Sequence, residues 1–187
     1  MEAEIGRCAW ANSAPEYVRY HDEEWGTPLH GDDALFERLC LEAFQSGLSW
    51  ITILRKRPAF RSAFAGFAID AVAAFTDDDH ARLMADAGIV RNRAKITAAI
   101  ANARAAQRLS EGLSVLLWSF APPGPRPRPA TLADVPATSS ESVAMAKELK
   151  RRGFVFVGPT TAYALMQATG MVDDHVADCF RASPARG

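Results

Sequence analysis

The sequence predicts an all-α fold, a compact bundle of short helices. Apolar residues recur with helical spacing over nearly the whole chain. Residues that cap helices, and glycines or prolines that end them, follow one another at short intervals. One segment, 154–157, has a strand-like composition, but nothing else in the chain offers it a partner strand. With 187 residues, a single domain spanning 1–187 is expected.

In the first half of the chain the helices are closely spaced. Asp32 or Asp33 is predicted to cap a helix that runs to about Ser46, with Gly47 just past its end. A short helix at 49–57 is expected to end at Pro58, because proline disrupts a helix interior. The apolar stripe of the first helix comprises Leu35, Phe36, Leu39, Cys40, Ala43 and Phe44. Further helices are predicted at 59–64, 69–75, 77–87 and 92–109.

The second half contains a break between helices. Five prolines within 122–129 indicate an extended, polyproline-like connector. After it, Thr138 and Glu141 have the spacing of a capping box at the start of a helix. The last helix, capped by Asp173 or Asp174, is expected to carry His175 and Cys179. The other helices are predicted at 113–120 and 159–170.

Composition and charge exclude some classes of protein. The formal net charge is −1, so the overall charge gives no indication of nucleic-acid binding. Basic clusters at 55–57, 91–95 and 147–152 are either solvated helix faces or a local nucleic-acid contact. Residues 1–6 contain two glutamates and no apolar core, and no apolar run reaches about 18 residues. We therefore expect a cytoplasmic protein without a signal peptide or membrane span.

Two cysteines and two histidines near the chain ends form a possible metal site. Cys8 and His21 lie near the start, while His175 and Cys179 are separated by one helical turn near the end. Such a set saturates a tetrahedral zinc ion and is structural. In a reducing compartment, paired cysteine and histidine residues are more often metal ligands than disulfide partners. A Cys8–Cys179 disulfide is the competing interpretation. We expect one structural zinc ion that joins the two ends of the chain, with Cys40 as buried packing.

A carboxylate within an apolar helix face is the most informative single residue. Glu42 follows Leu35 by seven positions and lies on the same face. Such a group must be paired, hydrogen-bonded or open to a cavity, and the alternative is a glutamate that turns to solvent or to an arginine. Nearby aromatic residues form either ordinary core or a pocket for a planar, electron-poor ligand. They are Trp10, Tyr17, Tyr20, Trp25 and Trp50.

A glycine turn followed by a basic helix indicates a possible DNA contact at 83–103. Gly88 lies in the turn and allows backbone angles that other residues avoid. Backbone N–H groups at the turn and at the next helix N-terminus can hold a phosphate. Arg91, Arg93 and Lys95 add positive charge. An ordinary αα-hairpin gives the same pattern and is the alternative.

Several strings of residues resemble one family. The chain from residue 7 to 179 is similar to 3-methyladenine DNA glycosylase I, a family of bacterial repair enzymes in the helix-hairpin-helix superfamily. The strings occur in order along the chain. They are Arg-Cys-Ala-Trp at 7–10, Tyr-His-Asp-Glu-Glu-Trp-Gly at 20–26, Gln-Ser-Gly-Leu-Ser-Trp at 45–50, Asp-Ala-Gly-Ile-Val-Arg-Asn-Arg-Ala-Lys-Ile at 86–96, Phe-Val-Gly at 156–158 and Val-Asp-Asp-His at 172–175.

The resemblance implies a role for each singled-out residue. The two cysteines and two histidines match the family's zinc ligands. Glu42 matches the carboxylate that hydrogen-bonds the edge of the methylated base, Trp50 matches the ring that stacks on it, and the other four aromatic residues match the pocket lining. Gly47 and Leu48 match the loop that pushes into DNA at the lesion, and Gly88 with its neighbours matches the DNA-binding hairpin.

The resemblance also implies the activity. It predicts a monofunctional glycosylase that acts on double-stranded DNA containing alkylated bases, releases free 3-methyladenine and leaves an abasic site. The single-domain build indicates a monomer. Methylation at N3 makes adenine cationic and a good leaving group, so the enzyme needs mainly to flip and hold it. The chain departs from the family pattern at Ser46, at Ala43 with Phe44, and at Asp173, where asparagine is common.

Three alternatives stay open at this point. The first is a zinc-stapled helix-hairpin-helix module that binds DNA without catalysis. The second is a zinc hydrolase using His21 and His175, which requires an open coordination position. The third is a bifunctional glycosylase, which requires a nucleophilic lysine such as Lys56 or Lys95.

Overall fold

The computed structural model describes residues 6–124 and 126–182, so 1–5 and Pro125, parts of the predicted N-terminus and connector, lie outside it. The described residues form nine α-helices and no strand, which confirms the all-α prediction for them and excludes the strand at 154–157. Short 3₁₀ helices occur at Ala9–Ser13, Ala65–Phe67 and Leu132–Asp134. The α-helices are α1 (Pro15–Glu23), α2 (Asp32–Gln45), α3 (Trp50–Ala63), α4 (Ile69–Ala73), α5 (Asp77–Ala85), α6 (Arg93–Gln107), α7 (Leu113–Trp118), α8 (Ser140–Arg151) and α9 (Pro159–Ala168). None of these helices is long and apolar enough to cross a membrane.

Helix α2 lies at the centre of the core. It packs against α3, α6, α7 and α9, and every residue of its predicted apolar stripe is buried. The ring of Phe44 lies 4.7 Å from that of Phe60 and 5.8 Å from that of Phe64, centre to centre. Cys40 is 1% exposed and serves as packing, as predicted. Because α2 is surrounded, a carboxylate near its end must lie inside the molecule.

Pro58 does not end a helix, contrary to the prediction. Helix α3 runs through it, so 59–64 is not a separate element. An interior proline removes a backbone hydrogen bond and costs roughly 3 kcal/mol. Ile53 and Phe60, on either side of it, are fully buried, and burial of each such side chain is worth about 1.5–3 kcal/mol. Packing on both sides of the proline therefore outweighs the local defect.

The two aspartates at the start of α2 cap other helices. The N-cap residue of α2 is Gly31 and not an aspartate. Asp32 Oδ1 accepts the N–H of Ser114 at 2.8 Å in α7, and Asp33 Oδ1 accepts the N–H of Ile69 at 2.9 Å in α4. Orphan N–H groups at a helix start need such acceptors. The first turn of α2 therefore ties three helices together.

The starts of α8 and α6 show how accurately capping residues in the sequence predict where a helix begins. The capping box of α8 begins at Ser139, one residue after the predicted Thr138, and Ser139 Oγ accepts the N–H of Ser142 at 3.2 Å. The predicted start of α6 is confirmed, because Asn92 Oδ1 accepts the N–H of Lys95 at 3.1 Å. Threonine and serine are both good N-cap residues, so the sequence alone does not decide between Thr138 and Ser139.

The chain after α9 is not helical, contrary to the prediction of a last helix. Its backbone bonds to distant segments: Ala177 N–H donates to the Pro129 carbonyl at 3.1 Å, and Phe180 N–H donates to the Gly6 carbonyl at 2.9 Å. These bonds replace the i to i−4 pattern of a helix. The described part of the proline-rich connector is neither helix nor strand, and Pro129 is bonded to the chain end.

Candidate active site

A cavity of about 610 Å³ opens between α1, α2, α9 and the turn at Leu132–Asp134. All five predicted aromatic residues and Glu42 contribute to its wall. Residues from both ends of the chain, from Trp10 to Asp174, meet here. The tertiary fold therefore brings the predicted pocket residues together in one place.

Glu42 opens onto this cavity from the buried face of α2. It is 6% exposed and forms no hydrogen bond or ion pair with any described residue. Burial raises the pKa of its carboxyl group to about 8, and the charge of Arg38 offsets only part of that rise. The alternative, a glutamate turned to solvent or paired with arginine, is wrong, since Arg38 pairs with Glu24 instead. Without a ligand, Glu42 is therefore largely protonated at neutral pH.

The aromatic rings stand at steep angles to one another around the cavity. Trp10 lies 5.6 Å from Tyr17 and 5.2 Å from Trp25 between ring centres, both edge to face. Tyr20 and Trp50 lie 5.5 Å apart at 51°. Of the five, only Tyr20 is fully buried, so the rings are both packed and available to a ligand. Such walls suit a flat, electron-poor molecule.

Tyr17 fixes the position of Trp50. Its hydroxyl accepts the N–H of Ile51 at 2.9 Å, in the first turn of α3. Ser49, the N-cap residue of α3, forms no side-chain cap, so the tyrosine supplies the missing acceptor. Helix α1 therefore holds the first turn of α3, and with it Trp50, in place.

Sequence reasoning missed the residues of the opposite wall. Asp174 and Gln167 face the cavity, as do Leu132 and Val135. Asp174 Oδ2 accepts the hydroxyl of Tyr163 at 2.6 Å and the amide of Gln167 at 2.8 Å. Asp174 directly precedes a metal-type histidine, which was the only signal for it. The two apolar residues follow the proline-rich connector, where nothing in the sequence marks a pocket.

The four predicted metal ligands come together beside the cavity. All are buried, and their ligand atoms lie within 4.8 Å of one another. Cys179 Sγ is 3.3 Å from His21 Nε2 and 3.5 Å from His175 Nδ1. Cys8 Sγ is 3.8 Å from the same nitrogen of His175. The cysteines are free thiols, so the disulfide interpretation is wrong.

Three of the separations between ligand atoms in this donor set fit a tetrahedral zinc ion. Zinc binds sulfur at about 2.3 Å and nitrogen at about 2.0–2.1 Å, so tetrahedral ligand atoms lie about 3.3–3.8 Å apart. His21 Nδ1 lies 2.8 Å from Asp22 Oδ1, and His175 Nε2 lies 3.2 Å from the Trp25 carbonyl, which turns the other nitrogen of each ring toward the thiols. Burial lowers the pKa of His175 to about 4, so its ring is neutral, as a metal ligand must be.

The metal-type residues also support the aromatic wall. The ring of His175 lies 4.6 Å from that of Trp25, and the ring of His21 lies 5.3 Å from that of Trp10. Both tryptophans face the cavity on their other side. The order of the pocket therefore depends on the junction of the two chain ends.

Helices α5 and α6 flank the predicted hairpin. Gly88 does not have a left-handed backbone, so the prediction that a glycine is needed there for its backbone angles is wrong. A Cβ there would instead lie 3.0 Å from the Ala59 Cβ and 3.0 Å from Asp86 Oδ1. Lys56 Nζ donates to the carbonyls of Ala87 and Gly88, each at 3.1 Å. The glycine is required for close packing of the turn on α3.

The cations of the hairpin differ in placement. Arg91 and Arg93 are exposed, as a contact with DNA would need. Lys95 is only 7% exposed, and its Nζ donates to the carbonyls of Phe44 at 2.8 Å and Ser46 at 2.5 Å. This placement does not fit the predicted phosphate contact. Lys95 instead joins α6 to the C-terminal end of α2, where a cation is favourable.

Gly47 and Leu48 form an exposed turn at the rim of the cavity. Leu48 N–H donates to the Gln45 carbonyl at 2.7 Å, and Gln45 Nε2 donates to the Leu48 carbonyl at 3.0 Å. Gly47 has φ +79°, a conformation that favours glycine. The Leu48 side chain is 39% exposed beside the cavity residues Gln45 and Trp50.

The residues that form the pocket and the hairpin lie in a region that matches a known protein family. The model of the methyladenine glycosylase family matches residues 10–182. The chain belongs to this family. The matched range takes in Glu42, all five rings, the hairpin and three of the four metal-type residues, with Cys8 just before it. The family resemblance of the sequence strings is thereby confirmed.

Individual members of the methyladenine glycosylase family are close relatives over nearly their full length. DNA-3-methyladenine glycosylase 1 of Escherichia coli (strain K12) is 47% identical over 177 residues, which cover 92% of this chain and 95% of that protein. A crystal structure of 3-methyladenine DNA glycosylase I is similar with a TM-score of 0.90 at 44% identity, covering 94% and 99%. A structure of the Staphylococcus aureus enzyme, which concerns its 3-methyladenine recognition, has a TM-score of 0.88 at 35% identity, covering 95% and 96%. The prediction of a DNA glycosylase, a hydrolase of N-glycosidic bonds, is confirmed.

Proposed function

We propose that this glycosylase binds N3-methylated adenine, flipped out of duplex DNA, in the aromatic cavity and releases it by hydrolysis, leaving an abasic site. The observation that carries the proposal is Glu42, a buried carboxyl group at the cavity wall with no partner of its own. The named relatives act on or recognise the same base. A DNA-binding module without catalysis has no use for such a cavity.

The cavity favours the methylated base because the base is cationic. Unstacking a base costs a few kcal/mol, and less when the base is damaged. Stacking on Trp50 returns about 1–3 kcal/mol, and a cation over an aromatic face gains about 0.5–2 kcal/mol. The arriving charge lowers the pKa of Glu42, which then ionises and accepts a hydrogen bond from the amino edge of the base. Neutral bases leave Glu42 protonated and lose this interaction.

Hydrolysis then needs little help from acids or covalent nucleophiles. The cationic base leaves readily, and water attacks the sugar as or after the glycosidic bond breaks. Among the described residues, no lysine lines the cavity. Lys56 and Lys95 are both hydrogen-bonded to backbone carbonyls elsewhere. These placements favour a monofunctional enzyme over a bifunctional one.

The DNA contact is assigned to the rim of the cavity and to the hairpin. The exposed Gly47–Leu48 turn enters the duplex beside the flipped nucleotide, while Arg91 and Arg93 neutralise phosphates next to the hairpin. We assign the chain a cytoplasmic location and a monomeric state, in which these surfaces are free.

Zinc is proposed as a structural ion at the four-residue cluster. Cys8, His21, His175 and Cys179 would hold it, and it would supply a crosslink between the chain ends with no open position for chemistry. The zinc-hydrolase alternative needs such a position, which this donor set does not leave.

Base release from alkylated DNA tests the proposal. The wild-type protein is expected to release 3-methyladenine and leave unbroken abasic strands. Glu42→Gln should lower the excision rate about 10- to 100-fold, because a charge-assisted hydrogen bond is lost. Its affinity for undamaged duplex DNA should stay within about twofold of the wild-type value.

Glu37→Gln is a matched control on the same helix. Glu37 pairs with Arg57 and Arg61 and does not line the cavity, so excision should be unchanged. Equal losses of free-base affinity and duplex affinity in Glu42→Gln, or strand cleavage by the wild-type protein, would contradict the assignment.

A further inference from the structure

The loop between α8 and α9 exposes two apolar side chains beside a groove. Val155 and Phe156 are 47% and 45% exposed, although the neighbouring Phe154 is 2% exposed and anchors the loop. The groove, which we call the α8–α9 groove, reaches across to Ser46 at the end of α2. Its side chains include Ser46, Val143, Lys147, Lys150, Val155 and Phe156.

The loop backbone is held rigidly while its side chains remain free. Asn102, 1% exposed on α6, donates through Nδ2 to the Val155 carbonyl at 3.0 Å and accepts the Val155 N–H through Oδ1 at 2.8 Å. Phe156 has φ +64°, a left-handed conformation that is strained for an aromatic residue. Strain of this kind persists where the surroundings fix it and is frequent at functional sites. The buried side chain of Asn102 therefore fixes the backbone of a loop in which the Phe156 ring is exposed.

Helix α6 places this loop next to the predicted DNA-insertion turn. Lys95 holds the carbonyl of Ser46, and Asn102 holds Val155. The two residues are seven positions apart, so they lie on one face of α6 about 10 Å from each other. The Gly47–Leu48 turn and the Val155–Phe156 loop therefore emerge side by side, and Ser46 borders both.

The charge of the groove matches a nucleic-acid strand. Lys147 and Lys150 are exposed and pair with no carboxylate among the described residues. Within the described part of the chain, no acidic residue lines the groove. On the same helix, Glu148 is already paired with Arg151 and Arg152. Apolar side chains flanked by unpaired cations fit a phosphodiester strand with its sugars and bases.

We propose that the α8–α9 groove is a second contact with the DNA duplex. In it, the Phe156 ring packs on a sugar or base of the strand that runs past the Gly47–Leu48 turn, and Lys147 and Lys150 neutralise the adjacent phosphates. This inference rests on the proposed function, because that function supplies duplex DNA as the partner. It adds a contact that lies outside both the base pocket and the hairpin.

Substitution of Phe156 tests the packing part. Phe156→Gly and Phe156→Asn both suit a left-handed backbone, so at least one is expected to keep the wild-type melting temperature. Each folded variant should bind duplex DNA about tenfold more weakly, with unchanged affinity for free 3-methyladenine. The matched control is Ala65→Gly, which changes an exposed residue of φ +50° at the far end of α3. The control should keep wild-type duplex affinity.

Salt dependence tests the electrostatic part. The slope of log affinity for duplex DNA against log salt should fall by about two in Lys147→Gln/Lys150→Gln. Arg61→Gln, at the remote end of α3, should leave the slope unchanged. Duplex affinity within twofold of wild type in the folded Phe156 variants, or an unchanged slope in the lysine variant, would overturn the inference. Failure of the wild-type protein to excise or bind 3-methyladenine would instead overturn the proposed function.

Discussion

At the scale of single residues, the burial of Glu42 makes the stability of the protein depend on pH. Its pKa of about 8 in the folded protein lies well above the ordinary value of about 4.3 in an unfolded chain. The folded state therefore binds the extra proton between these values, and the free energy of unfolding falls as pH rises through that window. Glu42, the residue proposed to bind the base, therefore destabilises the folded protein as pH rises through this window.

The first prediction follows from this coupling. Glu42→Gln should raise the free energy of unfolding by ~4–5 kcal/mol at pH 8 and change it little at pH 4.5, since glutamine needs no proton to be neutral. Urea denaturation of both proteins at the two pH values measures the difference. If the free energy of unfolding differed between variant and wild type by the same amount at both pH values, Glu42 would not be a buried carboxyl group with a raised pKa.

The second prediction separates a structural lysine from a DNA-binding arginine. Lys95→Met removes the hydrogen bonds to the end of α2, so the free energy of unfolding should fall by about 1–2 kcal/mol. The salt slope of duplex binding should not change, because Lys95 is buried. Arg91→Gln should instead lower the slope by about one and leave stability nearly unchanged. Fluorescence titrations with duplex DNA at several salt concentrations measure the slope for both variants. A lower slope in Lys95→Met with an unchanged slope in Arg91→Gln would show that Lys95 contacts a phosphate.

At the scale of elements, the hairpin is placed by close packing on α3. The Gly88 backbone lies against the Ala59 Cβ, and Lys56 from the same helix binds the carbonyls of the turn. These contacts hold the hairpin at a fixed distance from Trp50, which begins α3. The proposed DNA contact and the proposed base pocket are therefore parts of one packed arrangement of helices.

The third prediction tests this packing. Gly88→Ala should lower the free energy of unfolding by about 1–3 kcal/mol and weaken duplex binding, since the added methyl group meets Ala59 at 3.0 Å. Adding Ala59→Gly removes the partner methyl group. The double variant should lose less free energy of unfolding than the sum of the losses in the two single variants. Strict additivity in thermal or urea unfolding would mean that the two residues do not meet.

At the scale of the whole molecule, the junction of the chain ends supports the pocket. The metal-type cluster joins residues about 170 positions apart, and its histidines pack against Trp10 and Trp25. Metal binding contributes directly to folding free energy. Loss of the proposed zinc should therefore disturb the base pocket as well as the chain ends.

The fourth prediction concerns that ion. Cys8→Ser should reduce the zinc content measured by atomic absorption and lower the melting temperature by about 10 °C or more. A strong chelator should do the same to the wild-type protein and change its tryptophan fluorescence. Cys40→Ser is the matched control: it alters a buried thiol outside the cluster and should leave zinc content unchanged. Full stability of a zinc-free Cys8→Ser protein would refute the structural role.

The sequence by itself determined the helical class, the buried stripe of α2, Glu42 with the five aromatic residues of the pocket, and the four metal-type residues. These follow from local periodicity, residue chemistry and family resemblance, which are properties of the chain order. Tertiary structure alone decided that Asp32 and Asp33 cap other helices, that Pro58 lies inside α3 and that Lys95 faces inward. It also decided that the chain around His175 and Cys179 is not helical. In each case the deciding contact is with a residue distant in sequence, and distances of that kind exist only after the chain has folded.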